Sequence, residues 1–230
     1  MYGLIDADVT TASRLLAEHD PPCSLTAFVV ACTARAAAAQ PDVHAYRNWR
    51  GQLVTHNHVD VATMVEISTP LGPFALPHVL RDADLRGVPE LTAELRRVKH
   101  EPSTSGSGRW LERAAPFVTR TPGAVTAMCG VLQRSVAARQ RIGTVAVTAV
   151  GMFAGGGGFG LTGMSVMSLE VIVGGLSRRP RIVDGQVRVR DVLDLTVAFD
   201  HTVVDGAPAA RFSADFRELL ETAAVISAPD

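Results

Sequence analysis

The sequence has almost no net charge and only three cysteines, and each of these scarcities excludes a class of protein. A formal net charge of -1 over 230 residues argues against a dedicated nucleic-acid-binding protein. Cys23, Cys32 and Cys129 lie far apart among apolar neighbours, without CxxC or His/Cys clusters, so we expect reduced thiols and no metal. The N-terminus has neither the basic region nor the apolar run of a secretion signal, which favours a cytoplasmic protein.

The uncharged stretch 142–169 is long enough to cross a membrane, but its composition does not suit a membrane helix. Small and large residues alternate over 145–148, and four consecutive glycines follow at 155–158. This pattern predicts a buried strand followed by a glycine-rich loop. Neither GxxxxGK[ST] nor a helix-opening GxGxxG accompanies the glycines, so we do not expect a phosphate-binding loop.

The hydrophobic spacing and the turn residues of the whole chain predict one α+β domain over residues 1–230. With 47% hydrophobic residues the chain can bury a full core. We predict a strand over Tyr2–Val9, a helix from the N-cap Ser24 to Pro41, and a helix that starts near Pro89. Pro70, Pro73 and Pro77 are expected to divide the intervening stretch into short extended pieces. His56 and His58 would share one face of a strand and form an exposed pair.

Residues 101–141 are unlike the rest of the chain. The linker-like segment EPSTSGSG, 101–108, precedes an apolar, arginine-rich stretch over 109–141. Its apolar residues follow helical spacing up to Val136, and Arg134, Arg139 and Arg141 gather near the end of the stretch. We interpret it as an added amphipathic helix with a solvated basic end. A membrane-surface or acidic-ligand role is the less favoured alternative.

The last third of the chain predicts a hairpin, a strand and a helix. Asp184-Gly185 is typical of a tight hairpin turn, and Leu193, Leu195, Val197 and Phe199 alternate with polar residues as in a strand. The strand leads into DHTVVDG, 200–206, and then into a helix with an apolar face.

His201 is the candidate base in that segment. It has the strand parity of Val197 and Phe199, so we expect it to point toward the apolar side. A histidine there is either a hydrogen-bonded core residue or a neutral imidazole that can remove a proton near pH 7. Its position where a strand meets a helix, with Asp205 and Gly206 following, favours catalysis.

The run DLTVAFDHTVVDGAPAARFSADFRELLE resembles the C-terminal signature of the dihydrolipoyl acyltransferases of 2-oxo acid dehydrogenase complexes. These enzymes belong to the chloramphenicol-acetyltransferase-like superfamily, whose motif is HxxxDG. GTVAVTAVGMF (143–153) is similar to a further family strand, and the resemblance covers most of the chain except about 101–141. It implies an α+β, chloramphenicol-acetyltransferase-like two-layer sandwich with a mixed β-sheet.

The resemblance also implies acyl transfer between a thioester, acyl-coenzyme A or acyl-lipoyl, and a thiol or other small nucleophile. His201 would be the general base and Asp205 would organise the site through hydrogen bonds or an ion pair. Thr148 matches the family's serine and would stabilise the oxyanion. The family places its site between the subunits of a homotrimer, with larger assemblies of trimers as a further option. Arg134 and Arg139 are candidates to bind the phosphates of coenzyme A.

The chain also departs from the family pattern. Its single lysine, Lys99, lies in a helical segment and not at a hairpin tip, so we expect no lipoyl domain. A lipoyl group would then come from another protein, a lipoyl carrier. Thr202 stands where the family has an arginine, and the segment that supplies a further arginine before the first strand is missing. A small-metabolite acylating or condensing enzyme and a non-catalytic trimeric scaffold therefore remain alternatives.

Overall fold

The computed structural model describes residues 1–69, 72–106, 123–149, 156–162 and 166–227. The strands in these ranges are β1 (Tyr2–Asp8), β2 (Tyr46–Arg47), β3 (Leu53–Val54), β4 (Val61–Thr69), β5 (Gly72–Leu80), β6 (Val145–Ala149), β7 (Leu169–Val183) and β8 (Gln186–Phe199). The helices are α1 (Thr10–Glu18), α2 (Leu25–Ala39), α3 (Val88–His100), α4 (Ala124–Arg134), α5 (Val136–Arg141), α6 (Gly206–Thr222) and α7 (Ala224–Ser227).

One mixed sheet organises the molecule. Its strand order is β1-β8-β7-β6-β4-β5, and β2 and β3 form a separate hairpin. β6 runs parallel to both of its neighbours, whereas the other pairs in the sheet are antiparallel. Helices α2 and α6 pack against each other, and their apolar side chains join those of the sheet in one core. The predicted α+β sandwich with a mixed sheet is confirmed.

Local hydrogen bonds and backbone angles explain where α2 begins and where the hairpin of β7 and β8 turns. The Ser24 side chain accepts a hydrogen bond from the Ala27 backbone N–H at the start of α2, and α2 ends at Ala39, before Pro41. Asp184 and Gly185 both have positive φ, 53° and 75°, as the tight turn between β7 and β8 requires. These boundaries agree with the sequence prediction.

The prediction that Pro73 and Pro77 divide the stretch after β4 is wrong, while Pro70 lies outside the described residues. β5 is a continuous nine-residue strand that contains Pro73 and Pro77 and pairs with β4 throughout. β5 lies at the edge of the sheet, where one side of the backbone needs no ladder partner. An edge strand therefore tolerates residues without an N–H group.

The segment 101–141 also differs from the prediction of one helix. α4 ends at Arg134, and Ser135 has extended backbone angles and caps α5, its side chain accepting from the Ala138 N–H. A serine that caps a new helix competes with continuation of the old one, which explains the break. The residues 107–122 and the side chains of Val125, Met128 and Cys129 lie outside what the structure describes.

Cys23 and Cys32, the cysteines whose side chains the structure describes, are free thiols. Cys32 is a buried free thiol whose pKa is raised by burial, and Cys23 is a half-buried free thiol.

Among the described residues, none of the helices has the length and apolar character needed to span a bilayer.

A buried polar network joins α3 to the edge strand β5. His78 Nε2 lies 2.8 Å from Glu94 Oε1, and its Nδ1 lies 3.1 Å from Ser105 Oγ. The hydrogen bond from His78 lowers the pKa of Glu94 to about 2, and the Arg86 guanidinium contributes through its own hydrogen bond and charge. Burial opposes this shift. The folded protein therefore holds Glu94 ionised well below the ordinary glutamate pKa.

We predict that this network makes stability acid-sensitive. Because the folded pKa of Glu94 is depressed, its contribution is complete above the unfolded value of 4.5 and is lost as the pH falls toward about 2. The free energy of unfolding should fall by up to about 3 kcal/mol over that window, measured by urea denaturation. Glu94→Gln should flatten this pH dependence, whereas Glu90→Gln, at an exposed partner of the same Arg86, should retain it. Equal slopes in both variants would refute the assignment.

Candidate active site

The segment that carries the HxxxDG motif is a tight turn between β8 and α6. Asp200 Oδ1 accepts hydrogen bonds from the Thr202 backbone N–H at 2.9 Å and the Thr202 hydroxyl at 2.7 Å. The Asp200 carbonyl accepts from the N–H groups of Val203 and Val204 at 3.0 and 2.9 Å. Four hydrogen bonds to Asp200 thus fix the conformation of residues 200–204. Thr202, which replaces an arginine of the family pattern, contributes a hydroxyl to this turn.

His201 lies at the tip of the turn and is exposed in the single chain. The expectation that it points toward the apolar side is wrong, because β8 ends at Phe199 and the strand alternation ends with it. The His201 Nδ1 lies 2.9 Å from the Val204 carbonyl oxygen. A carbonyl can only accept, so Nδ1 carries the proton and Nε2 of the neutral ring keeps its lone pair. The turn therefore selects the tautomer that a general base needs.

Asp205 follows as the N-cap of α6. Its Oδ1 accepts from the Gly206 N–H at 3.1 Å, and no ion pair of Asp205 occurs within the described part of the chain. A carboxylate at this position stabilises the first turn of the helix. In the single chain the Asp205 side chain accepts this hydrogen bond from the next residue, and Asp205 thereby fixes where α6 begins.

Thr148 lies on β6, two strands away from β8. The register places Thr148 beside Ile172 of β7, and Ile172 beside Thr196 of β8. With about 4.8 Å between strands and 3.3 Å per residue, Thr148 is about 10 Å across the sheet from β8, and Phe199 is about 10 Å further along. The hydroxyl of Thr148 therefore cannot reach His201 of the same chain.

The glycine-rich segment packs on the outer face of the sheet. The Gly158 N–H donates to Asp194 Oδ2 at 2.7 Å, and the Gly175 N–H donates to the Gly158 carbonyl at 2.8 Å. A Cβ on Gly157 would collide with the Arg179 guanidinium. Gly157 thus needs glycine for close packing, whereas Gly156 and Gly158 have open space at the Cβ position and adopt φ values of 101° and 153°. Gly155 lies outside the described residues.

The ion pair between Asp194 and Arg179 was not anticipated from the sequence. Asp194 is completely buried and both of its oxygens bind the Arg179 guanidinium. The hydrogen bonds that Arg179 donates to Asp194 raise the pKa of the guanidinium. In the alternating pattern Asp194 occupies a position expected to face solvent. Only the loop that folds over this face makes it a buried residue.

Ser168 links the start of β2 to the active-site turn, because its hydroxyl donates to the Ala45 carbonyl and its own carbonyl accepts from the Asp200 N–H at 2.9 Å. The Arg139 guanidinium stacks 4.8 Å from the centre of the Tyr46 ring and donates to the Val166 carbonyl. Burial lowers the pKa of Arg139, while the charges of Tyr46 and Asp200 oppose that shift. Arg134 is exposed and lies over Trp49 of the hairpin of β2 and β3, 5.8 Å from the ring centre.

The pair of His56 and His58 was predicted wrongly. Neither residue lies in a strand, His58 is exposed, and His56 is buried in a stack between Tyr46 and His44. Burial lowers the pKa of both stacked histidines, that of His44 to about 4. Within the described ranges, no group of three His, Cys, Asp or Glu residues is arranged to hold a metal ion.

Known proteins resemble this chain in sequence and in fold. Residues 136–227 match the model of the family described as 2-oxoacid dehydrogenases acyltransferase (catalytic domain). A lipoamide acyltransferase component of the branched-chain alpha-keto acid dehydrogenase complex of Pseudomonas putida is 34% identical over 109 residues, which are 45% of this chain and 25% of that relative. The chain spans less than half the length of the curated relatives it matches.

Solved structures with the same fold include the cubic core of a pyruvate dehydrogenase multienzyme complex, with a TM-score of 0.70 at 19% identity. That match covers 98% of this chain and 83% of the other. Chloramphenicol acetyltransferase matches with a TM-score of 0.59 at 13% identity, over 96% and 88% of the two chains. The chain therefore has the fold of these two structures, an α+β sandwich like that of chloramphenicol acetyltransferase.

Over residues 136–227 the chain is similar to the catalytic domain of the 2-oxoacid dehydrogenase acyltransferases, as the motifs of the sequence predicted. The resemblance predicted from the sequence is therefore confirmed.

Proposed function

We propose that this domain transfers an acyl group between a thioester and a thiol, with His201 as the general base. One observation carries the proposal: the bond between His201 Nδ1 and the Val204 carbonyl leaves Nε2 as an exposed proton acceptor. This geometry lies within the segment that matches the acyltransferase family. A free thiol, with a pKa of about 8.5, is mostly protonated at neutral pH, so a base at the point of attack is needed.

The proposed reaction uses His201 as the base and Thr148 as the donor to the oxyanion. His201 Nε2 takes the proton of the acceptor thiol as its sulfur attacks the thioester carbonyl. The carbonyl oxygen becomes an oxyanion, which accepts a hydrogen bond from the Thr148 hydroxyl. When the intermediate collapses, the bond to the original sulfur breaks and His201 returns the proton to the departing thiolate. Asp205 acts through backbone geometry and does not carry the proton.

The separation of Thr148 from His201 within one chain supports a site shared between subunits. We therefore propose a homotrimer in which Thr148 of one subunit faces His201 of the next. Assembly of trimers into a larger particle is a further possibility, since a structure of the same fold is described as a cubic core. The exposed position of His201 suits a residue that a second subunit covers.

Coenzyme A, as acyl-coenzyme A or as the free thiol, is the proposed small substrate. Arg134 is exposed and fits a phosphate contact, whereas the Arg139 guanidinium is already engaged by Tyr46 and the Val166 carbonyl. The single lysine, Lys99, lies in the last turn of α3, so this domain offers no hairpin lysine for lipoylation. A lipoyl carrier protein is therefore the proposed partner, and the free thiols Cys23 and Cys32 favour a cytoplasmic location.

We expect acetyl-coenzyme A and dihydrolipoamide to react in the presence of the full chain. The measurement is release of coenzyme A together with formation of acetyl-dihydrolipoamide, followed by mass spectrometry. A primary alcohol and a primary amine serve as parallel acceptors. Transfer only to the alcohol or amine would favour the small-metabolite enzyme. Absence of transfer to any acceptor by an assembled oligomer would favour the non-catalytic scaffold.

A further inference from the structure

The strands β7 and β8 continue beyond the sheet as a two-stranded arm, residues 177–190. β1 pairs with β8 only as far as Val192, and β6 pairs with β7 only as far as Val173. The arm itself is a regular antiparallel ladder up to the turn at Asp184-Gly185. Over the ranges that the structure describes, no third strand pairs with it. Because a two-stranded hairpin alone is only marginally stable in water, the arm depends on contacts through its faces.

One face of the arm is charged and folds back onto the domain. Three of its arginines form ion pairs with aspartates of β1 and of the buried part of β8: Arg179 with Asp194, Arg181 with Asp6, and Arg190 with Asp8. The Nε of Arg190 lies 2.6 Å from Asp8 Oδ2, and Asp194 is completely buried. These ion pairs hold the arm at three points, so its direction relative to the sheet is fixed.

The opposite face of the arm is apolar and exposed. The register places Pro180 opposite Val189 and Ile182 opposite Val187, so these four side chains form one apolar face. Ile182 is 80% exposed, Val187 75% and Val189 69%. An antiparallel sheet with one wet face normally turns its polar residues to water and its apolar residues to the protein, and the arm has the reverse arrangement. A contiguous apolar face on a rigid element indicates a surface that another surface covers.

Opposite charges lie at the two ends of the apolar face. Arg178 lies at the base of the arm, where its side chain is 82% exposed and 3.6 Å from Asp191. Asp184 lies at the tip, where it is exposed and forms no ion pair with any residue that the structure describes. About 20 Å of extended strand separates the two charges. A two-fold rotation that places the base of one arm on the tip of another brings each arginine to an aspartate, so the face complements a second copy of itself.

We propose that two copies of this chain pack their arms together, apolar face on apolar face and in antiparallel directions. Ile182 and Val187 of one copy then lose their exposure against the same face of the other, at the spacing of about 10 Å that stacked sheets adopt. Each Arg178 lies opposite Asp184 of the second copy. The apolar surface supplies most of the affinity, and the two exposed charge pairs set the direction of packing.

This contact is separate from the interface that would complete the active site. β8 begins in the arm at Gln186 and ends at Phe199, about 40 Å away, before the turn that carries His201. The arms therefore do not bring Thr148 of one chain to His201 of another. A head-to-tail contact closes a ring, whereas the arm contact is isologous and joins two rings. With the proposed trimer as the ring, the assembly contains six chains or more; that number rests on the proposed function, and the contact itself does not.

The test measures the native mass of the full chain by size-exclusion chromatography with light scattering. Ile182→Thr combined with Val187→Thr keeps the β-branched shape of this cross-strand pair and removes its apolar surface. Both residues are exposed in the single chain, so the variant should fold as the wild type does. We expect its mass to fall from six chains or more to three at the same protein concentration. Leu85→Thr is the matched control, since Leu85 is 67% exposed in the turn before α3, and it should keep the wild-type mass.

Charge variants test the antiparallel direction of packing. Arg178→Glu places like charges at both ends of the contact, so the joined assembly should dissociate at a protein concentration about tenfold higher than the wild type does. Adding Asp184→Asn removes this repulsion, suits the same turn and should recover part of the loss. Arg188→Glu is the control, because Arg188 is exposed and lies opposite Arg181 on the charged face. Equal dissociation of the Arg178→Glu and Arg188→Glu proteins would reduce the effect to net charge and overturn the proposal.

The outcomes for the arm and for the reaction are distinguishable. A wild type of two chains that becomes one in the Ile182→Thr, Val187→Thr variant would keep the arm contact and defeat the proposed trimer. An unchanged native mass in that variant would overturn the arm contact, whether or not the chain transfers acyl groups. Flotation of the wild type, but not of the variant, with vesicles of phosphatidylcholine and phosphatidylserine would assign the apolar face to a membrane and also overturn the proposal.

Discussion

Replacement of His201 by alanine is expected to lower kcat for acyl transfer by about 10²–10⁴-fold, because the acceptor thiol loses its proton acceptor at the point of attack. The loss should appear mainly in kcat, since the imidazole acts on the reacting sulfur and contributes little to holding the rest of the substrate. Steady-state rates with acetyl-coenzyme A and dihydrolipoamide provide the measurement. His100→Ala is the matched control, since His100 is exposed at the end of α3, away from the turn.

Because His201 is exposed, we expect its replacement to lower activity without changing the stability of the fold. The ring contributes little to the core, and its one described hydrogen bond is to the Val204 carbonyl. The variant should therefore unfold at nearly the wild-type urea concentration. Added imidazole should restore part of the activity if the missing group is a base. A His201→Ala protein that assembles normally and retains full activity would eliminate His201 as the base.

The C-terminal third of the structure could be predicted because local chemistry determines it. The Asp184-Gly185 turn requires positive φ at both residues, and the alternation from Leu193 to Phe199 requires one buried face. Neither feature depends on distant contacts. The HxxxDG motif then follows at the place where the strand must end.

Other features could not be predicted because they depend on residues far away in the sequence. Asp194 looks like a solvent-facing strand residue until the glycine-rich loop and Arg179 cover it. Pro73 and Pro77 fit a strand only because β5 lies at the sheet edge, which is a property of the whole topology. Strand parity predicts that His201 faces the apolar side, but parity does not extend past the last paired residue, Phe199.

Thr148→Val is expected to lower kcat by about 10²–10³-fold, because valine has nearly the same shape but cannot donate to the oxyanion. Thr148→Ser keeps the hydroxyl and should keep most of the activity. The comparison between the two variants isolates the hydroxyl from the packing of β6. Urea denaturation should show little difference between them, since no hydrogen bond of the Thr148 hydroxyl occurs among the described residues. Full activity of Thr148→Val would assign the oxyanion to other donors.

Oligomers that contain both His201→Ala chains and Thr148→Val chains test whether the site is shared between subunits. Chains with His201→Ala and chains with Thr148→Val can be produced together, each with its own affinity tag, and only oligomers that carry both tags are then purified. In a cyclic trimer with a head-to-tail interface, every such mixed trimer contains one site built from an intact His201 and an intact Thr148. Activity should therefore return to about one third of the wild-type value, although each parent is nearly inactive. If both residues of a site came from one chain, no mixed oligomer would contain an intact site, and the mixture would stay as inactive as its parents.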